Sequence, residues 1–303
     1  MTPQIIDRLG LIIATVGRRE IVEETLRSLA RRESLPGVVL VVGASLADLP
    51  RLPEQFPFKF QVIQAPKKGL CLQRNVGIEA LPPGIEFVSF LDDDVEVHDR
   101  YFAEIEHVFT NSPGLAGFSG CIMANGNIGR TAARGLLDGY GFGDEMPFFG
   151  AYPKTWPALY GCAMNIRRAW LKAEKFDERL PLYALGEDCE MGFRLSRHGD
   201  VGGSGRCPVV HLAARSGRIS EYGYGYAQVI NYLYFARKGV GLPVLTTYIN
   251  RLIKIPATNF IFAFLPWLDR KKGIDRKGRV RGNLKAIFDV LRGRIDPQNL
   301  LTL

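Results

Sequence analysis

Along residues 9–15 the chain reads LGLIIAT, with apolar or small side chains at nearly every position. A strand with one face in water alternates apolar and polar residues, so this unbroken run predicts a strand buried on both faces. GVVLVVGAS (37–45) predicts a second buried strand, FKFQVIQA (58–65) a third and IEFVSFL (85–91) a fourth. Between the first two, REIVEETLRSLARR (19–32) places Ile21, Thr25, Leu26 and Leu29 at helical spacing with charges on the opposite face. GLCLQRNVGIEAL (69–81) predicts a further helix. Alternating strand and helix signals imply βαβ units and a parallel, doubly wound sheet. Ligands of such sheets bind beyond the carboxyl ends of the strands.

The pattern continues with a helix over RYFAEIEHVF and a strand over GLAGFSGCIM. Residues 124–158 are rich in Gly, Pro and aromatics and have no clear period. That length and composition suit a mobile segment covering a substrate. YGCAMNIRRAWLKAEKF then reads as a strand running into a helix, LPLYALG as a loop, EDCEMGFRLSRHG as a helix and CPVVHLA as a late strand. Beyond about Ser216 the chain turns to Tyr-rich and basic-apolar helical segments, which sets a boundary between 1–215 and 216–303.

Composition narrows this picture only a little. The 303 residues are 47% hydrophobic and 23% charged, with a formal net charge of +8, which attracts anions in general. The basic residues are dispersed and accompany no nucleic-acid-binding signature, so nucleic acid is not an expected partner. Five widely spaced cysteines without a Cys-x-x-Cys pair fit neither a zinc site nor a disulfide framework, and point to a reducing, cytoplasmic setting. The opening MTPQIIDRLGLIIATVGRRE lacks a basic flank and a cleavage site and reads as a first strand. No apolar run reaches the roughly 18–20 residues of a membrane span.

Candidate chemistry gathers at the predicted strand ends. The fourth strand stops at Asp92, Asp93 and Asp94. Adjacent carboxylates oppose each other's ionisation unless a cation neutralises them, and Mg²⁺ and Mn²⁺ prefer such oxygens. The alternative is an acidic turn in water. ATVGRRE supplies Thr15, Arg18 and Arg19 at the end of the first strand, where the arginines either face a ligand or open a solvated helix. QAPKKGLCLQRN supplies Lys67, Lys68, Arg74 and Asn75 after the third; the lysines are either phosphate contacts or turn residues. Glu187 and Asp188 open a helix after Gly186, either as a positioned base or as charges favoured by the helix dipole. His211 follows a predicted strand and is either a satisfied histidine or a metal ligand.

Taken in order, TVGRR, VVGAS, KKGLCLQRNVGI, FLDDDVE, YGCAMNIRR, LGEDCEMGFRLSRHG and VVHL resemble the inverting family-2 glycosyltransferases, including rhamnosyltransferase-like bacterial members, over most of residues 9–215. The resemblance implies an α/β GT-A fold, a Rossmann-like doubly wound and mainly parallel sheet with a C-terminal helical extension. It implies a catalytic domain that moves one sugar from a nucleotide-diphosphate sugar to a hydroxyl of a glycan or lipid-linked acceptor. It implies Mn²⁺ or Mg²⁺ held by Asp94 and His211, and a general base at Asp188 with Glu187 as the alternative. Thr15, Arg18, Lys68, Arg74, Asp92 and Asp93 would line the donor site. The family's nucleobase-reading acid near the end of the second strand is replaced by Val42 and Gly43, leaving Asp48 in the following loop as the substitute. No Gln-x-x-Arg-Trp motif follows the Glu-Asp pair, which favours single-sugar transfer over processive synthesis. The competing classes are a sugar nucleotidyltransferase, for which TVGRRE is a poor glycine-rich loop, and a non-catalytic nucleotide- or glycan-binding protein.

The C-terminal stretch GVGLPVLTTYINRLIKIPATNFIFAFLPWL is apolar but interrupted by Arg251, Lys254 and Pro256. Apolar helices flanked by Lys and Arg lie in membrane interfaces, at the inner face of the cell membrane for a cytoplasmic enzyme. The other readings are packing on the catalytic domain or a homodimer contact.

Overall fold

A computed structural model describes residues 2–51, 55–126, 128–141, 159–214, 219–241, 243–269 and 273–303. Its contacts divide the chain into two compact units, Met1–Phe176 with Met191–Gly217, and Asp177–Glu190 with Arg218–Leu303.

The first unit is built on β1 (Gln4–Thr15), α1 (Arg19–Leu29), β2 (Ser34–Gly43), β3 (Lys59–Gln64), α2 (Leu70–Ala80), β4 (Phe87–Asp92), β5 (Val95–Val97), α3 (Tyr101–Asn111), β6 (Leu115–Asn125), α4 (Arg130–Asp138), β7 (Ala163–Arg167), α5 (Arg168–Leu171) and β8 (Asp200–His211), with α6 (Glu187–Leu195) preceding β8. The eight strands form one sheet in the order β3-β2-β1-β4-β7-β6-β8-β5. The first four are parallel, as expected from the βαβ pattern. β7 runs antiparallel to both β4 and β6, and β5 antiparallel to β8, so the sheet is mixed in its second half.

Side-chain alternation along β1 explains its unbroken apolar character. Leu9, Leu11 and Ile13 join a core with Val22 and Leu26 of α1 and Phe102 and Ile105 of α3. Ile12 meets α2 on the other face, where a Cβ on Gly77 would lie 2.7 Å from its Cγ2. In α1 the core position expected of Ile21 is taken by Val22, and Ile21 is only half-buried. Within the irregular stretch 124–158, residues 130–138 form α4; its later part, 142–158, lies outside the described residues.

One connection dictates the shape of the sheet. β4 and β5 are joined by Asp93 and Asp94 alone, although four strand intervals separate them in the sheet order. Four intervals span about 19 Å. The chain from Asp92 to Val95 reaches at most about 11 Å. The sheet therefore curls until its β5 edge returns to the end of β4. That brings His211, paired with Val95, to the acidic run.

The second unit contains the loop before α6, then α7 (Glu221–Arg237), α8 (Val244–Ile249), a π-helical turn at Asn250–Lys254, α9 (Ile255–Phe264), α10 (Arg276–Leu291) and a terminal 3₁₀ turn. α7 and α10 cross at glycines. A Cβ on Gly282 would lie 2.0 Å from the Tyr222 carbonyl oxygen, and one on Gly225 would lie 2.2 Å from that of Arg279. Asn283 seals the crossing by donating from Nδ2 to the Gly225 carbonyl at 2.7 Å. Gly282→Ala should therefore lower stability by about 2 kcal/mol despite alanine's better helix propensity. Gly135→Ala on exposed α4, where a Cβ meets nothing within 4 Å, should be neutral or stabilising. Thermal unfolding of the two variants checks this: equal melting would contradict the close crossing.

Candidate metal and nucleotide site

Asp92 is the last residue of β4, and Asp93 and Asp94 form the turn into β5. The three carboxylates have three different fates. Asp93 is buried, and its oxygens accept from Thr15 Oγ1 at 2.7 Å and from Arg18 Nη1 at 2.8 Å. Burial pushes the Asp93 carboxyl up to about 6, against the pull of Arg18 and the Thr15 hydroxyl. Its backbone carbonyl accepts from Thr25 Oγ1 at 2.7 Å, so α1 holds the turn as well.

Asp94 is 1% exposed. Its Oδ2 accepts from the Ala214 amide at 2.6 Å and lies 3.5 Å from Arg18 Nη1. Its Oδ1 lies 3.2 Å from His211 Nε2 without a hydrogen bond of good geometry. Burial alone would raise this carboxyl, but His211, Arg18 and the Ala214 amide outweigh it and hold it below the usual carboxylate range. Asp92 stays one-third exposed, with Oδ1 3.5 Å from Arg74 Nη2 and Oδ2 3.7 Å from His211 Nε2. Burial raises its carboxyl, partly offset by His211 and Arg74.

Asp92, Asp94 and His211 each offer a ligand atom within 4.8 Å of the others. Two hard carboxylate oxygens and an imidazole suit Mn²⁺ or Mg²⁺, and a buried carboxylate oxygen without a hydrogen bond suits a cation as its partner. The imidazole is already oriented. His211 Nδ1 is 3.0 Å from Asn125 Oδ1, an acceptor, which places a proton on Nδ1 and turns Nε2 toward the carboxylates. Asn125 in turn donates from Nδ2 to the Tyr160 hydroxyl at 2.7 Å. Asn125 was not among the residues expected from sequence. The signal that marks it is positional: it ends β6 in register with His211.

The remaining expected donor-site residues are placed less uniformly. Arg18 also donates from Nη2 to the Ala214 carbonyl at 2.8 Å, tying the loop after β1 to the chain after β8. Arg19 instead donates to the Leu46 and Leu49 carbonyls. Arg74 is buried, donates to the Gly161 carbonyl at 2.9 Å and packs over the Phe176 ring. Its neighbours also bond within the protein. Gln73 Nε2 donates to the Thr15 and Val42 carbonyls, and Asn75 exchanges two hydrogen bonds with the Phe176 backbone. Lys67 and Lys68 are exposed in the turn before α2, and among the described residues Lys68 forms no ion pair with the aspartates. Asp48 is buried, accepting from Gly17 N, Ser45 N and Ser45 Oγ, so it locks the loops after β1 and β2 together.

Glu187 and Asp188 begin α6 in the second unit. The loop before them is strained: Leu182, Ala184 and Gly186 all have positive φ, at 55°, 52° and 88°. Non-glycine residues in that region are costly and persist where the surroundings fix them. Here Asn231 of α7 donates to the Leu185 carbonyl at 2.9 Å, and a Cβ on Gly186 would press on the Tyr232 and Phe235 rings. Glu187 is 6% exposed, whereas Asp188 is half-buried with Oδ1 accepting from the Cys189 amide at 2.8 Å. Burial pushes the Tyr232 phenol up, and the nearby Asp188 carboxylate adds to this. The Arg251 guanidinium sits 3.3 Å over the Tyr232 ring.

Known structures share this architecture. The mannosyltransferase PcManGT from Pyrobaculum calidifontis, solved with GDP-Man and Mn²⁺, superposes with a TM-score of 0.58 at 13% identity, over 93% of this chain and 87% of that one. TarS 1-349 from S. aureus, solved with UDP-GlcNAc, superposes with a TM-score of 0.53 at 15% identity, over 96% of this chain and 83% of that one. The fold is thus that of the GT-A glycosyltransferases. A family model for glycosyltransferase like family 2 matches residues 7–200, and the chain belongs to that family and is a glycosyltransferase. A search of curated protein sequences finds no match.

The orientation of His211 by Asn125 generates a test that needs no substrate. Asn125→Ala should weaken Mn²⁺ binding by roughly 10–100-fold while leaving all three candidate ligands in place. Titration followed by the electron paramagnetic resonance signal of free Mn²⁺ reads this directly. Unchanged affinity would show that the Asn125 contact does not orient a ligand.

Proposed function

We propose that the protein is a metal-dependent, inverting glycosyltransferase that moves one sugar from a nucleotide-diphosphate sugar to a hydroxyl of a glycan or lipid-linked acceptor. The observation that carries this reading is the convergence of Asp92, Asp94 and His211 at the carboxyl end of β4, in a chain of this family. The bound Mn²⁺ and nucleotide sugars of the structural relatives give it support. A divalent ion held by Asp94, His211 and Asp92 would offset the negative charge that develops on the departing nucleoside diphosphate.

The chain's own residues divide the remaining work. Thr15 and Arg18 fix the turn that carries the ligands, rather than reaching freely for the donor. Arg74 pairs with Asp92 at 3.5 Å. Asp188 is assigned as the general base that takes the proton from the acceptor hydroxyl, because it is the more accessible of the two acids opening α6. Glu187, nearly fully buried, is assigned to positioning. One base acting on the acceptor, opposite the leaving group, gives single displacement with inversion and no covalent intermediate. The rhamnosyltransferase-like subtype belongs to the same reading, and the missing Gln-x-x-Arg-Trp motif after the Glu-Asp pair favours transfer of a single sugar.

Asp188→Asn keeps the size of the side chain but removes its basicity. Nucleoside diphosphate binding should survive, while transfer falls by roughly 10²–10⁴-fold. Glu187→Gln should cost less. The measurement is nucleotide affinity by calorimetry beside sugar transfer by release of nucleoside diphosphate, on the same protein samples. Near-normal transfer by Asp188→Asn with a dead Glu187→Gln would move the base to Glu187. Near-normal transfer by both would remove the pair from catalysis, and pyrophosphate as the released product would mark a nucleotidyltransferase instead.

A further inference from the structure

The helical unit presents apolar side chains to water in an ordered way. Along α8, the π-helical turn and α9, Leu245, Ile249, Ile253, Phe260 and Phe264 recur at multiples of about one helical turn, and all are exposed, Leu245 by 73% and Phe264 by 61%. Trp267 and Leu268 extend the stripe past the end of α9, Trp267 being 75% exposed. α10 carries a second stripe, in which Lys277, Arg281, Leu284, Phe288 and Leu291 recur every three or four residues, all exposed. The two stripes meet at an open apolar groove of about 430 Å³, with Ile253, Phe260 and Ile261 on one side and Val280 and Leu284 on the other. Monomeric proteins rarely leave contiguous apolar surface of this kind without a use for it.

The charges around the stripes indicate what covers them. Between residues 243 and 292 the exposed charged side chains among the described residues are Lys254, Lys277, Arg281 and Arg292 against Asp275. Asp275 is engaged as the helix cap of α10, accepting from the Gly278 amide. An apolar surface edged by cations, with Phe and Trp at one end, matches the chemistry of an anionic bilayer: acyl chains below, phosphates at the rim. A two-fold contact between copies of this chain would set the same cations against one another. No helix among the described residues is long and apolar enough to cross a membrane. We infer that this face, α8 to α9 with the outer stripe of α10, lies in the interfacial layer of an anionic membrane, with the groove between Phe260 and Leu284 receiving a lipid chain. The inference stands on the helical unit alone and does not depend on the reading of the acidic site.

The test uses the full chain with phosphatidylcholine vesicles, with and without phosphatidylglycerol. Co-sedimentation is expected with the anionic vesicles and should weaken as salt screens the lysines and arginines. Trp267 fluorescence should shift to the blue on binding and be quenched by lipids brominated on the acyl chain, a signal that Trp267→Phe removes. Lys277→Gln and Arg281→Gln should each weaken binding by roughly 5-fold. Phe264→Ser should weaken it by about 10-fold or more. All three side chains are exposed, so circular dichroism and melting should stay as in the parent protein. Absence of binding at low salt, or equal binding to the neutral vesicles, would overturn the inference. So would a dimer in sedimentation velocity that Phe264→Ser dissociates while no vesicle binding is seen, which would assign the face to a second copy.

Discussion

Three carboxylates in succession cannot share the end of a strand unless each is held by its own counter-group. Asp93 is held by Thr15 and Arg18, Asp92 is braced by Arg74, and Asp94 receives the Ala214 amide and faces His211. These partners come from the end of β1, from α2 and from the end of β8. Meeting them requires the sheet to curl so that its last strand returns to its fourth. The arrangement that separates the like charges is therefore also the one that closes the architecture. Arg18 shows this most directly, since one guanidinium binds Asp93 and the backbone beyond His211 at the same time.

The first half of the fold was legible because buried parallel strands are written as continuous apolar runs, and the helices between them as amphipathic ones. β1 to β4, α1 and α2 lie where those patterns placed them, within a few residues. What sequence reasoning lost were features without a period. β5 is three residues long, too short to show an alternation, and the antiparallel direction of β7 carries no periodic signal. The glycine crossing of α7 and α10 is equally silent, because a glycine that permits contact looks the same in sequence as one that permits a turn.

The candidate site divides along the same line. Residue type and order drew attention to the acidic run and to His211, with Asp94 and His211 expected at a metal and Asp92 at the donor, and the fold brings all three within 4.8 Å of one another. Residue type says nothing of the bonds these side chains also make within the protein. Asp93, Thr15, Arg18 and Arg74, expected at the donor site, each hydrogen-bond to other parts of the chain. Asp48 is likewise committed to two loops. Asn125 went unnoticed because an asparagine ending a strand is common, and only its register with His211 gives it a role.

The pairing of β5 with β8 has a consequence for how the chain comes together. Asp94 and His211 stand far apart along the polypeptide, and nothing local holds one near the other. Their approach depends on a long-range strand pairing, the slow kind of contact in folding. An unfolded chain thus has no preformed cage, and an ion that selects the finished one adds its binding free energy to the native state alone. Loading would act on the lifetime of the curled sheet as a whole, fastening its final seam so that the edge strand β5 peels away less often.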